Sequence, residues 1–307
     1  MKKILTITFI LLLPVIVFSQ QDAHFTQYMF NTISVNPGYT GTRDALSLLA
    51  LHRSQWVGFP GAPVTQTINV NSPLFNRRLG MGISVVNDKI GPVNQTGIFT
   101  DLAYRIKFQK SNLSLGIKGG ADLYKNRLSD LALVSVSDDQ FRNDVTSRLL
   151  PNFGFGAYYY SDKWYLGIST PKMIRNTVDV TTGNAGTAHL SVQKMHWFVL
   201  GGLVADITPF IRFKPSMQLK VTGGAPVSAD VTANFLFYDR LWLGAMYRNS
   251  DAIGLLVQFH FTRQLRAGYS YDYTISKLSA YNSGTHEVMI GYDFSFAKEK
   301  IKSPRFF

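Results

Sequence analysis

Apolar and polar residues alternate along most of this chain with a period of two. From Ala252 to Phe261 one face carries Ile253, Leu255, Val257, Phe259 and Phe261, and the other Ala252, Gly254, Leu256, Gln258 and His260. From Arg263 to Thr274, Leu265, Ala267, Tyr269, Tyr271 and Tyr273 oppose Gln264, Arg266, Gly268, Ser270, Asp272 and Thr274. The stretches Ile211–Thr222 and Val288–Phe296 divide in the same way. A half-buried sheet in water also alternates. Here nearly every segment does so, each runs about ten residues, and the apolar faces end in aromatics. That combination is the signature of an all-β, transmembrane antiparallel β-barrel.

Fourteen strands are expected, over 44–56, 63–72, 78–88, 95–109, 111–124, 150–161, 163–171, 194–206, 210–222, 226–238, 240–249, 251–262, 263–276 and 284–297. The connections support the count. Membrane barrels carry short periplasmic turns and longer extracellular loops. The two longest gaps, 125–149 and 172–193, are the fifth and seventh connections and so fall on one side. The even connections, such as Pro73–Arg77, Lys110 and Asp162, are compact. One strand more or less would scramble this parity.

The N-terminus reads differently. Lys2 and Lys3 precede an apolar run from Ile4 to Phe18, and Ser19-Gln20-Gln21-Asp22 turns polar. That is the plan of a secretory signal peptide over residues 1–20, too short for a membrane helix. No cysteine stands at the expected cleavage point to carry a lipid. Residues 21–43 are too irregular for a strand yet rich in Tyr, Phe and Asn, and are expected to plug the periplasmic mouth or lumen of a barrel spanning 44–307.

Composition agrees. Only 16% of the 307 residues are charged, against roughly 25% in an ordinary soluble domain, while 13% are aromatic, which excludes disorder. The absence of cysteine excludes disulfides and thiolate metal sites. The formal charge of +12 falls to +10 without Lys2 and Lys3, and export argues against nucleic acid as its reason.

Candidate chemistry is sparse. None of the six histidines (His24, His52, His189, His196, His260 and His286) sits in a zinc-binding spacing, and no nucleophile elbow, P-loop or dinucleotide fingerprint is present. No cofactor is expected. A membrane lipid hydrolase would need a Ser–His pair on the outer wall, and no motif points to one. Twelve charges fall on the expected inner faces: Asp101, Arg105, Lys107, Lys118, Asp122, Arg212, Lys214, Lys220, Asp230, Arg266, Asp272 and Asp293. They could line a pore or pair across the lumen and fill it, and their mixed signs favour pairing. In the first external connection, Gly58, Pro60, Gly61 and Pro63 form a tight turn presenting Trp56 and Phe59, a pair suited to a partner contact or to the lipid interface.

Several strings are more specific: His24-Phe25-Thr26-Gln27-Tyr28-Met29-Phe30-Asn31, Val35-Asn36-Pro37-Gly38-Tyr39-Thr40-Gly41, Arg53-Ser54-Gln55-Trp56-Val57-Gly58-Phe59-Pro60-Gly61, Asn87-Asp88-Lys89-Ile90-Gly91-Pro92 and Gly268-Tyr269-Ser270-Tyr271-Asp272-Tyr273. In order and spacing the mature chain resembles the PorP/SprF family of type IX secretion outer-membrane proteins. The resemblance implies a non-enzymatic barrel in the outer membrane of a Gram-negative cell. One branch of that family supports export and surface attachment of large adhesins, including those of gliding motility, by holding their C-terminal domain. Another belongs to the secretion apparatus and associates with periplasmic, peptidoglycan-linked components. The alternative from a different class is an uptake channel for hydrophobic or small polar solutes, which requires an open pore.

Overall fold

The computed structural model describes residues 24–74, 77–127, 145–182 and 186–294. The expected signal peptide, most of the fifth connection and the C-terminal end lie outside them. Seven strands come first: β1 (Leu46–Ser54), β2 (Val64–Leu74), β3 (Leu79–Ile90), β4 (Val93–Lys107), β5 (Asn112–Asn126), β6 (Val145–Tyr160) and β7 (Trp164–Thr170). β8 (Thr177–Thr182) and β9 (Gly186–Val192) follow as a hairpin of their own. The ring resumes with β10 (His196–Leu203), β11 (Ala205–Thr208), β12 (Ile211–Thr222), β13 (Ser228–Phe237), β14 (Leu241–Arg248), β15 (Ala252–His260), β16 (Leu265–Thr274) and β17 (Thr285–Phe294).

Each wall strand pairs antiparallel with its neighbour, and β1 pairs with β17 from Leu46↔Phe294 to Ser54↔His286. β10 and β11 are two pieces of one strand broken at Val204, so the closed wall has fourteen strands. Closure matters because a backbone group left unpaired in hydrocarbon costs several kcal/mol, and a ring has no edge. The β8–β9 hairpin lies inside the 172–193 connection, where no strand was expected. Its Thr-Val alternation is only six residues long, although Gly183-Asn184 is a turn signal.

Burial alternates as the pleat requires. In β15 the pattern of buried and exposed residues is unbroken from Ala252 to Phe259, with Leu255 67% exposed and Leu256 buried. The outward residues form an apolar belt that includes Ile68, Ile83, Ile98, Ile117, Leu166, Leu255 and Ile290. At the short-turn end it closes in aromatics that touch edge to face: Phe108 with Tyr159, Tyr159 with Trp164, and Phe259 with Phe261. Tyr247 and Tyr273 stand outward at the long-loop end. No described helix is long and apolar enough to cross a membrane; strands make this wall.

A charge in the middle of this belt meets hydrocarbon. Leu255→Arg should destabilise the barrel by about 2–4 kcal/mol, whereas Leu255→Ala should cost far less. The check is the urea midpoint of tryptophan fluorescence in lipid vesicles; an unchanged midpoint for the arginine variant would place Leu255 off the lipid face.

Candidate functional site

The lumen is filled by the chain's own N-terminal segment. Phe25 to Thr42 is almost wholly buried, with Thr26, Gln27 and Asn36 at 0% exposure. The segment starts at the long-loop mouth, where Lys220 Nζ stands 2.8 Å from His24 Nε2. It crosses the lumen through short 3-10 turns at Thr32–Ser34 and Pro37–Tyr39. It reaches the short-turn mouth at Arg43 and Asp44 and runs on into β1. Its path is therefore longer than a cover over one mouth.

Glycines on β3, β5 and β6 clear the trough it occupies. A Cβ on Gly116 would overlap the backbone of Pro37 and Gly38, and one on Gly80 would overlap the carbonyl of Thr40. Asn36 fixes the turn: its Oδ1 accepts from Gly38 N at 2.8 Å and its Nδ2 donates to the Ala157 carbonyl at 3.0 Å. On the other side Phe25, Tyr28, Met29 and Phe30 pack with Leu49, Leu51, Trp242, Leu256 and Met289 from the wall.

Two ionic clamps hold the ends. At the long-loop end Arg53 donates to Glu287 and to Asp272, both at 2.9 Å, and to Thr26 Oγ1 at 2.8 Å. Thr26 Oγ1 donates in turn to Asp272 at 2.6 Å, and the backbone N–H groups of Thr26 and Gln27 donate to Glu287 at 3.0 and 2.9 Å. At the short-turn end Asp293 accepts from Arg43 at 2.8 Å and from Arg266 at 2.7 Å, and also from Ser47. Arg105 there binds Asp44 at 2.6 Å and the carbonyl of Gly41. Between the clamps Lys214 lies over the rings of Phe30 (4.8 Å), Trp242 (5.8 Å) and Tyr165 (5.9 Å), a cation–π contact in a site shielded from water.

Above the filler the long-loop mouth opens into a cup of about 770 Å³. His24, Phe25, Ser34 and Val35 form its floor, and Trp56, Val86, Ile90, Val93, Phe99, Tyr124 and Val227 are among its walls. Its charges are mostly paired: Lys118 with Asp101 at 2.8 Å, Lys172 with Asp122 at 2.8 Å, and Arg248 with Asp230 at 2.9 Å. Burial, followed by the positive field of Lys220, Arg248, Arg53 and His196, holds the His24 imidazole well below its ordinary pKa.

Of the expected lumen charges, Asp101, Arg105, Lys118, Asp122, Lys214, Lys220, Asp230, Arg266, Asp272 and Asp293 are buried inside the ring. Arg212 is not among them. It has the inward parity but lies at the short-turn rim, bound to the exposed Asp206 at 3.0 Å and to Asp239. Lys107 is exposed at the same rim. The aromatic pair of the first connection is split: Trp56 lines the cup, and Phe59 is 40% exposed outside it. The loop that carries Gly58, Pro60 and Gly61 is clasped by Val57 N donating to Gly284 O (2.8 Å), Ser283 N to Val57 O (2.7 Å) and Gly91 N to Gly61 O (2.9 Å).

A family model described as type IX secretion system membrane protein PorP/SprF matches residues 17–292. The chain belongs to the PorP/SprF family. Comparison with curated proteins finds no match. Among solved structures this PorP/SprF barrel is similar to the CymD monoaromatic hydrocarbon channel, with 11% identity, TM-score 0.51, and 90% of this chain and 94% of that one covered. It is also similar to the outer membrane protein Omp33 of Acinetobacter baumannii (10% identity, TM-score 0.46, 82% and 100% covered). A FadL homologue of Pseudomonas aeruginosa gives 11% identity, TM-score 0.45, and 87% and 94% coverage. At such identities a likeness carries the fold alone, an outer-membrane barrel, and it is CymD that carries it.

The lumen charges that strand parity alone passed over are Arg53, Arg248 and Glu287. Glu287 shares the parity of Asp293, so the signal was present. Arg53 follows Leu49 and Leu51 on the inner face of β1, and apolar inner neighbours made that strand's faces ambiguous.

Removing Arg53 leaves Glu287 and Asp272 buried without their counter-ion, a loss of about 3–5 kcal/mol. Arg53→Met should therefore lower the urea midpoint and expose residues 24–28 to hydrogen exchange before the wall opens. A second expectation concerns pH. Because His24 binds its proton less readily in the fold than in the free chain, its contribution is present above about pH 6.5 and is lost as pH falls below that. Protection at residues 24–28, taken as the intrinsic rate at each pH divided by the observed exchange rate, should fall as pH is lowered from about 7.5 to about 5, and His24→Gln should flatten that fall.

Proposed function

We propose that this PorP/SprF protein is a docking receptor of type IX secretion, not a solute pore. In this reading the cup receives the C-terminal domain of a secreted adhesin, and the inner filler keeps the barrel sealed while the partner is held. The observation that carries it is the pairing of a lumen closed by residues 24–43 with a cup of about 770 Å³ at the long-loop mouth. Short turns belong to the periplasmic side of such barrels, so the cup faces outward, where a surface protein would arrive. The mixed, partly apolar lining suits a polypeptide segment, whose backbone and side chains need both kinds of contact. The short-turn mouth, closed by Arg43, Asp293, Arg266 and Arg105, presents Arg212, Asp206 and Asp239 to periplasmic, peptidoglycan-linked components of the apparatus. Export relies on residues 1–20 as a cleaved leader.

Two measurements test this. In planar bilayers the full chain should show no steady conductance, and deletion of residues 24–43 should open it. Detergent-extracted barrel should retain an adhesin C-terminal domain, and Val35→Trp, which raises the floor of the cup, should weaken that retention tenfold or more, equivalent to about 1.4 kcal/mol. Solute flux through the intact chain, with no retention of the domain, would favour the channel reading.

A further inference from the structure

The outer wall carries a polar cluster that neither the lumen nor the cup uses. His52 and Ser54 lie two residues apart on β1 and both point outward. His52 Nε2 is 3.0 Å from Ser54 Oγ. On the neighbouring strand Gln66, directly opposite His52, reaches the other ring nitrogen, with its amide 3.4 Å from Nδ1. Across the opposite edge of β1, Ser54 faces His286 of β17. The Nδ1 of His286 is 2.7 Å from the Tyr269 hydroxyl.

The cluster's height on the wall is informative. Ser54 is the last residue of β1, at that strand's long-loop end, and His52 lies two residues nearer its middle. An outward-facing pair at the end of a wall strand is within reach of the zone where hydrocarbon gives way to headgroups and where the ester carbonyls of bilayer lipids lie. Polar side chains exposed to that boundary are costly unless they bond to one another, and in membrane proteins they mark function.

We propose that Ser54, His52 and Gln66 form a nucleophile–base–orienter triad that hydrolyses carboxylic esters of glycerophospholipids at the outer membrane surface. The geometry meets two requirements of such a site: the hydroxyl bonds to one imidazole nitrogen, and a fixed group bonds to the other. The ends of a side-chain amide exchange by a half-turn, and with Gln66 Oε1 toward His52 the Nδ1–H donates to it, leaving Nε2 as the base. Ser54 Oγ then attacks the ester carbonyl carbon, and its proton passes to Nε2. The bond to the glycerol oxygen breaks, and that oxygen leaves with the proton as lysolipid. Interfacial water, deprotonated by the same nitrogen, cleaves the acyl–Ser54 ester, releasing the fatty acid and restoring the hydroxyl. With the Tyr269 hydroxyl donating to His286 Nδ1, the hydrogen of that ring sits on Nε2, on the residue that stands opposite Ser54 in register.

The test is the full chain reconstituted in phosphatidylethanolamine–phosphatidylglycerol vesicles, with fatty acid and lysolipid read by mass spectrometry and a fluorophosphonate probe mapped by peptide sequencing. The probe should label Ser54, and lipid release should fall about a hundredfold or more in S54A and in H52N. Because Glu only accepts at this position, Q66E should keep or raise the rate, and Q66L should lower it at least tenfold. A purely structural Gln66 would not separate those two variants. The three side chains varied face lipid, so heat-modified gel mobility should confirm a folded barrel in all four variants. Absence of label at Ser54, or release equal in S54A and the parent chain, overturns the proposal and leaves a polar girdle contact only.

Discussion

Everything in this molecule follows from closing fourteen strands into one ring. A ring of about eight strands can be filled by its own inward side chains, and one of 16–18 leaves an aqueous channel. Fourteen lies between, and the gap must be occupied or wetted. Here residues 24–43 occupy it. The inner wall is shaped to them, glycine where the backbone approaches at Gly80 and Gly116, leucine and methionine where Phe25 and Phe30 press outward, and carboxylate where N–H groups of Thr26 and Gln27 would otherwise be orphaned.

The interior is thus charged but satisfied. Arg53, Asp272 and Glu287 form a buried group with one cation to two carboxylates, and the deficit is met by two backbone N–H groups and a hydroxyl from the filler. Such a group is weak evidence of stability and better evidence of specificity, since one partner missing leaves an uncompensated charge. It recognises one segment in one register. Apolar packing around Phe30 and Trp242, at 5.7 Å between ring centroids, would tolerate a small slide that the carboxylates do not.

Much of the wall was legible in the sequence because lipid imposes a strict alternation. Leu255 outward and Leu256 inward are the same residue type, yet their neighbours Gly254 and Val257 set the parity. The register of β1 was harder: Leu49 and Leu51 face a proteinaceous core, not water, so both faces of that strand are apolar in the middle. The hairpin β8–β9 carries no long alternation, and the packing of its Val178 on Tyr124 and Leu150 of the wall is a long-range contact that no local pattern states. The His52–Ser54–Gln66 cluster depends on register between two strands, which no single strand's pattern states. The filler's composition was informative, but its traverse from mouth to mouth depends on long-range pairs such as Thr26 with Glu287.

Arg53 stands on β1 and Glu287 directly across from it on β17. Those two strands are the first and last of the ring, so their pairing is the suture that turns a ribbon into a cylinder. The same two side chains grip Thr26. A chain assembled this way is sutured around its own contents, like a staved cask hooped with the bung already inside. The residues that certify the correct filling also brace the seam that the backbone ladder of the two strands closes.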